Sequence, residues 1–194
     1  MRAHGLRTAR VMALLVPLVL LGGCLGSSNS RHFHLDMAPA GNPPESINIM
    51  VDRLIAADPL VRSEIMIQAS STEVRYHSDA LWASSMSDMV RQKFAAEFGP
   101  IEPNRPTILL TGRIRNCGRL EENGNAFAHV RMDIAMRLQG TGRYADPLHH
   151  RTYEAKRPLT STDPGDLVVE LSRGIENIAE EIIEDAMQIS LEAE

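Results

Sequence analysis

Along residues 126–138, Ala126, Ala128, Val130, Met132, Ile134, Met136 and Leu138 occupy every second position, with mostly polar residues between them. Successive strand side chains point to opposite faces, so this pattern predicts a long strand with one buried and one wet face. Asn123 and Gly124 stand just before it, and this pair accepts positive φ at both centres of a tight hairpin turn. On the other side of that turn, residues 107–116 carry Ile108, Leu110 and Ile114 on one side. Two long antiparallel strands are therefore expected here. Residues 148–156 return as a further strand, with Tyr153 and Ala155 pointing inward.

Elsewhere the period lengthens. Trp82, Met86, Met89, Val90, Phe94 and Phe98 recur at spacings of three and four, and Gly99 with Pro100 ends the run. This predicts a helix that starts near Trp82. Near the C-terminus, Asp163 has the character of an N-cap, with Pro164 and Asp166 at the first and third helical positions. Val168, Leu171, Ile175, Ile178, Ile182 and Ala186 then form an apolar stripe. Glu170, Glu176, Glu180, Glu181, Glu184 and Asp185 cover the other face, expected to be solvated surface. Towards the N-terminus, residues 32–37 (HFHLDM), the alternation of Ile47, Ile49 and Val51, and that of Ile65, Ile67 and Ala69 suggest three strands. Val74 and Tyr76 continue the last in extended form after a polar SSTE. The order of three strands, helix, three strands, helix predicts an α+β fold. Its sheet would be mostly antiparallel, of about six strands, with two helices packed on one face.

The first 23 residues stand outside this pattern. Arg2, Arg7 and Arg10 precede an apolar run over residues 11–21, and small residues follow. That is the order of a secretory signal peptide, and the run is too short to span the ~30 Å bilayer core. Leu21, Gly22, Gly23 and Cys24 look like a bacterial lipobox, which makes Cys24 the acylated first residue of the mature chain. Two or more acyl chains anchor stably where one does not. Residues 24–31 form the acylated cysteine and a flexible tether, and residues 32–194 a single periplasmic domain. Leu25 follows the cysteine where an aspartate commonly acts as an inner-membrane retention signal. The expected place is therefore the outer membrane, lipid-anchored and facing the periplasm.

Charge and chemistry narrow the function. Loss of Arg2, Arg7 and Arg10 leaves the mature chain about eight units negative, which argues against nucleic acid as a partner. Cys117 is then the sole remaining thiol, expected half-buried on a strand without a disulfide. His32 with His34, and His149 with His150, fall short of the three or four converging ligands a zinc site needs. Neither a GxSxG elbow nor a phosphate-cradling glycine loop occurs, and Ser70 and Ser71 have no partnered base. Neither an enzyme nor a cofactor is expected.

The stretch around residues 60–98, with the run PLVRSEIMIQASSTEVRYHSDALWASSMSDMVRQKF, resembles the auxiliary lipoproteins of ABC-type transport systems. More narrowly, it resembles the PqiC-like partners of MCE lipid-transport proteins. The FHLD segment, the NG hairpin and the terminal GDLVVELSRGIENIAEEI fit the same pattern. The resemblance implies an outer-membrane accessory that docks a periplasmic MCE protein and aids lipid transfer without catalysis. A homo-oligomer would match a symmetric MCE assembly. Leu60, Val61, Arg62, Val74, Arg75, Tyr76 and Trp82 are the expected docking residues, because Arg and Tyr are enriched at interface hot spots. Two alternatives are an envelope assembly or scaffold lipoprotein, and a small lipid-binding carrier whose ten methionines line a cavity between helices and sheet.

Overall fold

A computed structural model describes residues 30–140 and 146–192. The expected signal peptide, Cys24 and most of the expected tether lie outside the described residues, as does part of the turn expected at 140–142. The strands are β1 (Arg31–Phe33), β2 (Asn48–Ala56), β3 (Glu64–Gln68), β4 (Val74–Trp82), β5 (Thr107–Glu122), β6 (Asn125–Leu138) and β7 (His149–Leu159). The helices are α1 (Met86–Phe98) and α2 (Pro164–Glu192), and a short 3-10 turn covers Asp58–Leu60. No helix among the described residues is long and apolar enough to cross a membrane.

The α+β class holds, but the sheet has seven strands and is mixed. Its order is β1-β4-β3-β5-β6-β7, with β2 also paired to β5. The longest ladders, β5–β6 and β6–β7, are antiparallel. β1 runs parallel to β4, and both β2 and β3 run parallel to β5. The extra strand comes from the SSTE segment. Ser70 Oγ accepts hydrogen bonds from the backbone N–H groups of Thr72 (3.2 Å) and Glu73 (3.1 Å). A serine that bonds backbone two and three residues ahead closes a turn. The chain therefore reverses here, and β3 and β4 form an antiparallel hairpin.

The strongest sequence signals hold. Asn123 and Gly124 sit at φ 52° and 77°, the geometry of a tight hairpin turn. Tyr153 and Ala155 are buried, and so is the whole stripe from Val168 to Ala186 on α2. Asp163 Oδ1 accepts from Gly165 N at 2.6 Å and caps that helix. Two boundaries move. β1 runs from Arg31 to Phe33 and takes in only residues 32 and 33 of the expected 32–37 strand. Trp82 ends β4 rather than starting a helix, because Ser85 is the N-cap of α1 and accepts from Asp88 N at 3.2 Å.

α2 packs on β5, β6 and β7, while α1 packs on β2 and against α2. The core between them is dense: Met89, Phe94, Ile114, Met132, Met136, Leu171 and Ile178 are all fully buried. Burying each such side chain contributes about 1.5–3 kcal/mol. Methionine thus serves as packing here, since Met66, Met86, Met89, Met132 and Met136 all lie in the core.

The acidic face of α2 is less solvated than its composition suggests. Lys93 of α1 is fully buried and bonds Glu176 at 2.7 Å, Glu97 at 2.8 Å and the Ala38 carbonyl at 2.6 Å. Glu97 in turn accepts from Ala40 N at 3.0 Å. The triad ties α1, α2 and the chain that follows β1. Arg157 holds Glu170 at 2.6 Å, and Arg151 holds Glu181 at 2.6 Å and Asp185 at 3.0 Å. Glu170, Glu181 and Asp185 are thus counter-ions for arginines of β7.

Candidate functional site

The residues expected to dock a partner fall into two groups. Val61 is 73% exposed, Val74 43% exposed, and the side chains of Arg62 and Arg75 are 54% and 57% exposed. Tyr76 is half-buried beside them. Leu60 and Trp82 are instead 4% and 5% exposed and belong to the core. They offer no surface to a partner, which corrects the expectation that all seven share one docking surface. Trp82 points inward because β4 ends against the core, and Leu60 because the 3-10 turn folds its side chain down.

The exposed group is held by side-chain contacts between separate segments. The Arg62 guanidinium lies 4.3 Å from the centre of the Tyr76 ring, and the Tyr76 hydroxyl donates to the Pro59 carbonyl at 3.1 Å. Arg62 also pairs with Glu64 at 2.7 Å, and that hydrogen bond holds the Glu64 carboxyl below its ordinary pKa. The Asp58–Leu60 turn and its following loop are thus clamped onto β4. Arg75 bonds both Glu73 and Glu121 at 3.2 Å, and Glu121 bonds Arg119 at 3.2 Å. In register, Val74 stands opposite Gln68, Arg75 opposite Ile67 and Tyr76 opposite Met66. Successive strand residues face opposite ways, so Val74 and Tyr76 share one face of β4, with Arg62 stacked on Tyr76, while Arg75 turns to the other face, where Glu121 and Arg119 lie. Aromatic and arginine anchors of low conformational freedom are the usual energetic centre of a protein interface.

A second feature was not legible in the sequence. Gln68, Arg115, Asn116, His129, Arg131 and Asp133 line an open cavity of about 380 Å³. The only sequence signal is the break in alternation after Ile114, where β5 bulges against β6. Gly118 allows β3 to approach there, since a Cβ on it would lie 2.4 Å from the Met66 carbonyl oxygen. Cys117, next to the bulge, is fully buried rather than half-buried, and burial pushes its pKa up to about 12. Among the described residues no group of three His, Cys, Asp or Glu side chains could hold a metal.

Residues 33–111 match the family model of the ABC-type transport auxiliary lipoprotein component. The match runs from the last residue of β1 to the start of β5 and includes Val61, Arg62, Val74, Arg75 and Tyr76. It bears out the resemblance drawn from the sequence. The fold is similar to the crystal structure of a Xanthomonas campestris protein of family DUF330, with a TM-score of 0.70 at 14% identity, covering 84% of this chain and 98% of that one. It is also similar to the crystal structure of an uncharacterized protein, with a TM-score of 0.58 at 13% identity, covering 81% and 99%. At such identities the likeness is one of fold. No curated protein matches the chain.

Proposed function

We propose that this chain, whose residues 33–111 match the family model of the ABC-type transport auxiliary lipoprotein component, docks the periplasmic MCE component of a lipid transporter and aids lipid transfer at the outer membrane. The observation that carries the reading is the exposed group of Val61, Arg62, Val74 and Tyr76, in which Arg62 stacks on Tyr76 and Tyr76 bonds the Pro59 carbonyl. It lies inside the family-matched segment and presents apolar and arginine side chains that the fold itself does not bury. Acylation at Cys24 would hold this patch near one membrane and raise its local concentration, which strengthens even a weak contact.

The test is affinity purification of the full chain from solubilised membranes. The wild-type chain should recover an MCE protein. The combined Val61→Asp and Val74→Asp variant, at two exposed positions, should lose it while retaining its melting temperature. Recovery of an unrelated envelope-assembly complex, with no MCE component, would instead support a scaffold lipoprotein. Equal MCE recovery by the variant would remove the patch from the account.

A further inference from the structure

The face of the sheet turned away from the helices is continuous with the exposed group on β4. Val74 stands opposite Gln68, Gln68 opposite Leu120, and Leu120 opposite Phe127. Side chains directly opposite one another share a face, so the Val74 side of β4 runs on across β3, β5 and β6. Phe127 alternates with Ala128 and Val130, which are buried, and Val130 meets Gly174 of α2. Further along the same face Arg131 stands opposite Asn116 and Glu154, Arg113 opposite Asp133, and Arg53 opposite Thr111.

Cations outnumber acids on this face. Its carboxylates and those at its rim are already engaged: Asp133 with Arg115, Asp52 with Arg137, Glu122 with Lys156, and Glu154 with His129. Arg53, Arg113 and Arg131 are exposed and have no ion-pair partner among the described residues. The chain as a whole is net negative, so this surplus is a matter of placement. Exposed acids such as Asp166, Glu180 and Glu184 project instead from α2. The molecule is thus polarised, with a basic sheet face and an acidic helix face. Potentials of opposite sign across an interface steer partners together and fix their register.

We infer that the docking surface extends from Val74 and Tyr76 across this sheet face, and that it takes an acidic surface of a protein partner, whose carboxylates meet Arg53, Arg113 and Arg131. Arginine suits carboxylates because its planar fork offers two parallel N–H donors. The interleaving of charges selects a protein over a bilayer. Asp133 and Glu154 stand directly opposite Arg113 and Arg131 and would repel a uniformly anionic lipid surface. A folded partner places acids against the arginines and donors against the carboxylates. The inference rests on the docking reading for the patch it continues, and it adds the chemistry of the partner's contact surface.

In-cell photo-crosslinking of the full chain from a benzoyl-phenylalanine at His150 tests it. His150 is exposed and lies in the same cross-strand row as Ala135, Thr111 and Arg53. The crosslink should reach the protein that a probe at Val74 reaches, in a segment with more Asp and Glu than Lys and Arg by mass spectrometry. Combined Arg53→Glu, Arg113→Glu and Arg131→Glu should cut its yield at least about tenfold. Combined Arg→Gln at the same positions adds no like charge beside Asp133 and Glu154; it should keep the melting temperature and still cut the yield at least about threefold. Changing acids of the crosslinked segment to Lys should restore the yield with the Arg→Glu chain. An acidic partner that is not an MCE protein, with this charge dependence, supports the inference and removes MCE docking. MCE crosslinks from Val74 with none from His150 do the reverse. Crosslinks from His150 to lipid alone or to a basic segment, or a yield unchanged by both sets of arginine substitutions, would also overturn it.

Discussion

Replacing Lys93 with Met removes one charge from a site where three are held out of water. The Lys93 ammonium and the Glu97 carboxylate are 0% and 5% exposed, and Glu176 is 18% exposed. Methionine keeps the volume but leaves both carboxylates without their cation and the Ala38 carbonyl without its donor. Breaking a buried pair by removing one partner costs about 3–5 kcal/mol, against about 0–1 kcal/mol for a surface pair. In a chain of this size that is a fall in melting temperature of about 6–20 °C. Burial alone would lower the Lys93 pKa, but hydrogen bonds to Glu176 and Glu97 outweigh it and hold the pKa above its ordinary value. The ion's contribution is therefore fully present below the unfolded pKa of about 10.4 and fades as pH rises through the still higher folded value. Urea denaturation of wild type and Lys93→Met at pH 7 and pH 10.5 measures both effects. A triple variant with Lys93, Glu97 and Glu176 all changed to Met should regain part of the loss. It would keep a deficit of about 1–3 kcal/mol for each of the two backbone groups left unpaired, the Ala40 N–H and the Ala38 carbonyl. A loss below about 1 kcal/mol in Lys93→Met would show that water already solvates the triad, refuting the reasoning.

Other outcomes follow from the same structure. Cys117 should resist a thiol reagent at pH 8 in the folded chain and react at an ordinary rate in denaturant, because burial holds its pKa near 12. Folded-state labelling at the denatured rate would contradict that. Ser85→Ala should cost about 1 kcal/mol through the lost cap of α1, read as a lower denaturation midpoint at unchanged slope. Cys24→Ala should release the chain from the outer-membrane fraction on density-gradient separation, and retained attachment would count against acylation there.

How much could be read in advance depended on whether a signal was local. The hairpin of β5 and β6 was legible because strict alternation and the Asn123–Gly124 turn are both local and agree. α2 was legible for the same reason, with its Asp163 cap and apolar stripe. The parallel pairings were not legible, because β2 and β3 meet β5 through contacts distant in sequence. Trp82 fell four residues before Met86 and so mimicked helical spacing, while the backbone at Ser85 set the true start of α1. Glu176 and Asp185 looked like solvated surface, since nothing local announces that Lys93 and Arg151 come from other elements to meet them. At the candidate site the residue types were legible, but the inward turn of Leu60 and Trp82 and the stacking of Arg62 on Tyr76 were tertiary outcomes. The cavity at Asn116 and His129 depended on a bulge and a gap between β2 and β3, which no sequence period encodes.

The central claim is that the exposed patch meets a transporter component. In-cell photo-crosslinking from a benzoyl-phenylalanine placed at Val61 or Val74 reports that contact directly, with the same probe at the exposed Val169 of α2 as control. Crosslinks to an MCE protein from positions 61 and 74, and none from 169, are predicted. Crosslinks to that protein from 169 alone, or to none of its components from any of the three, would contradict the account.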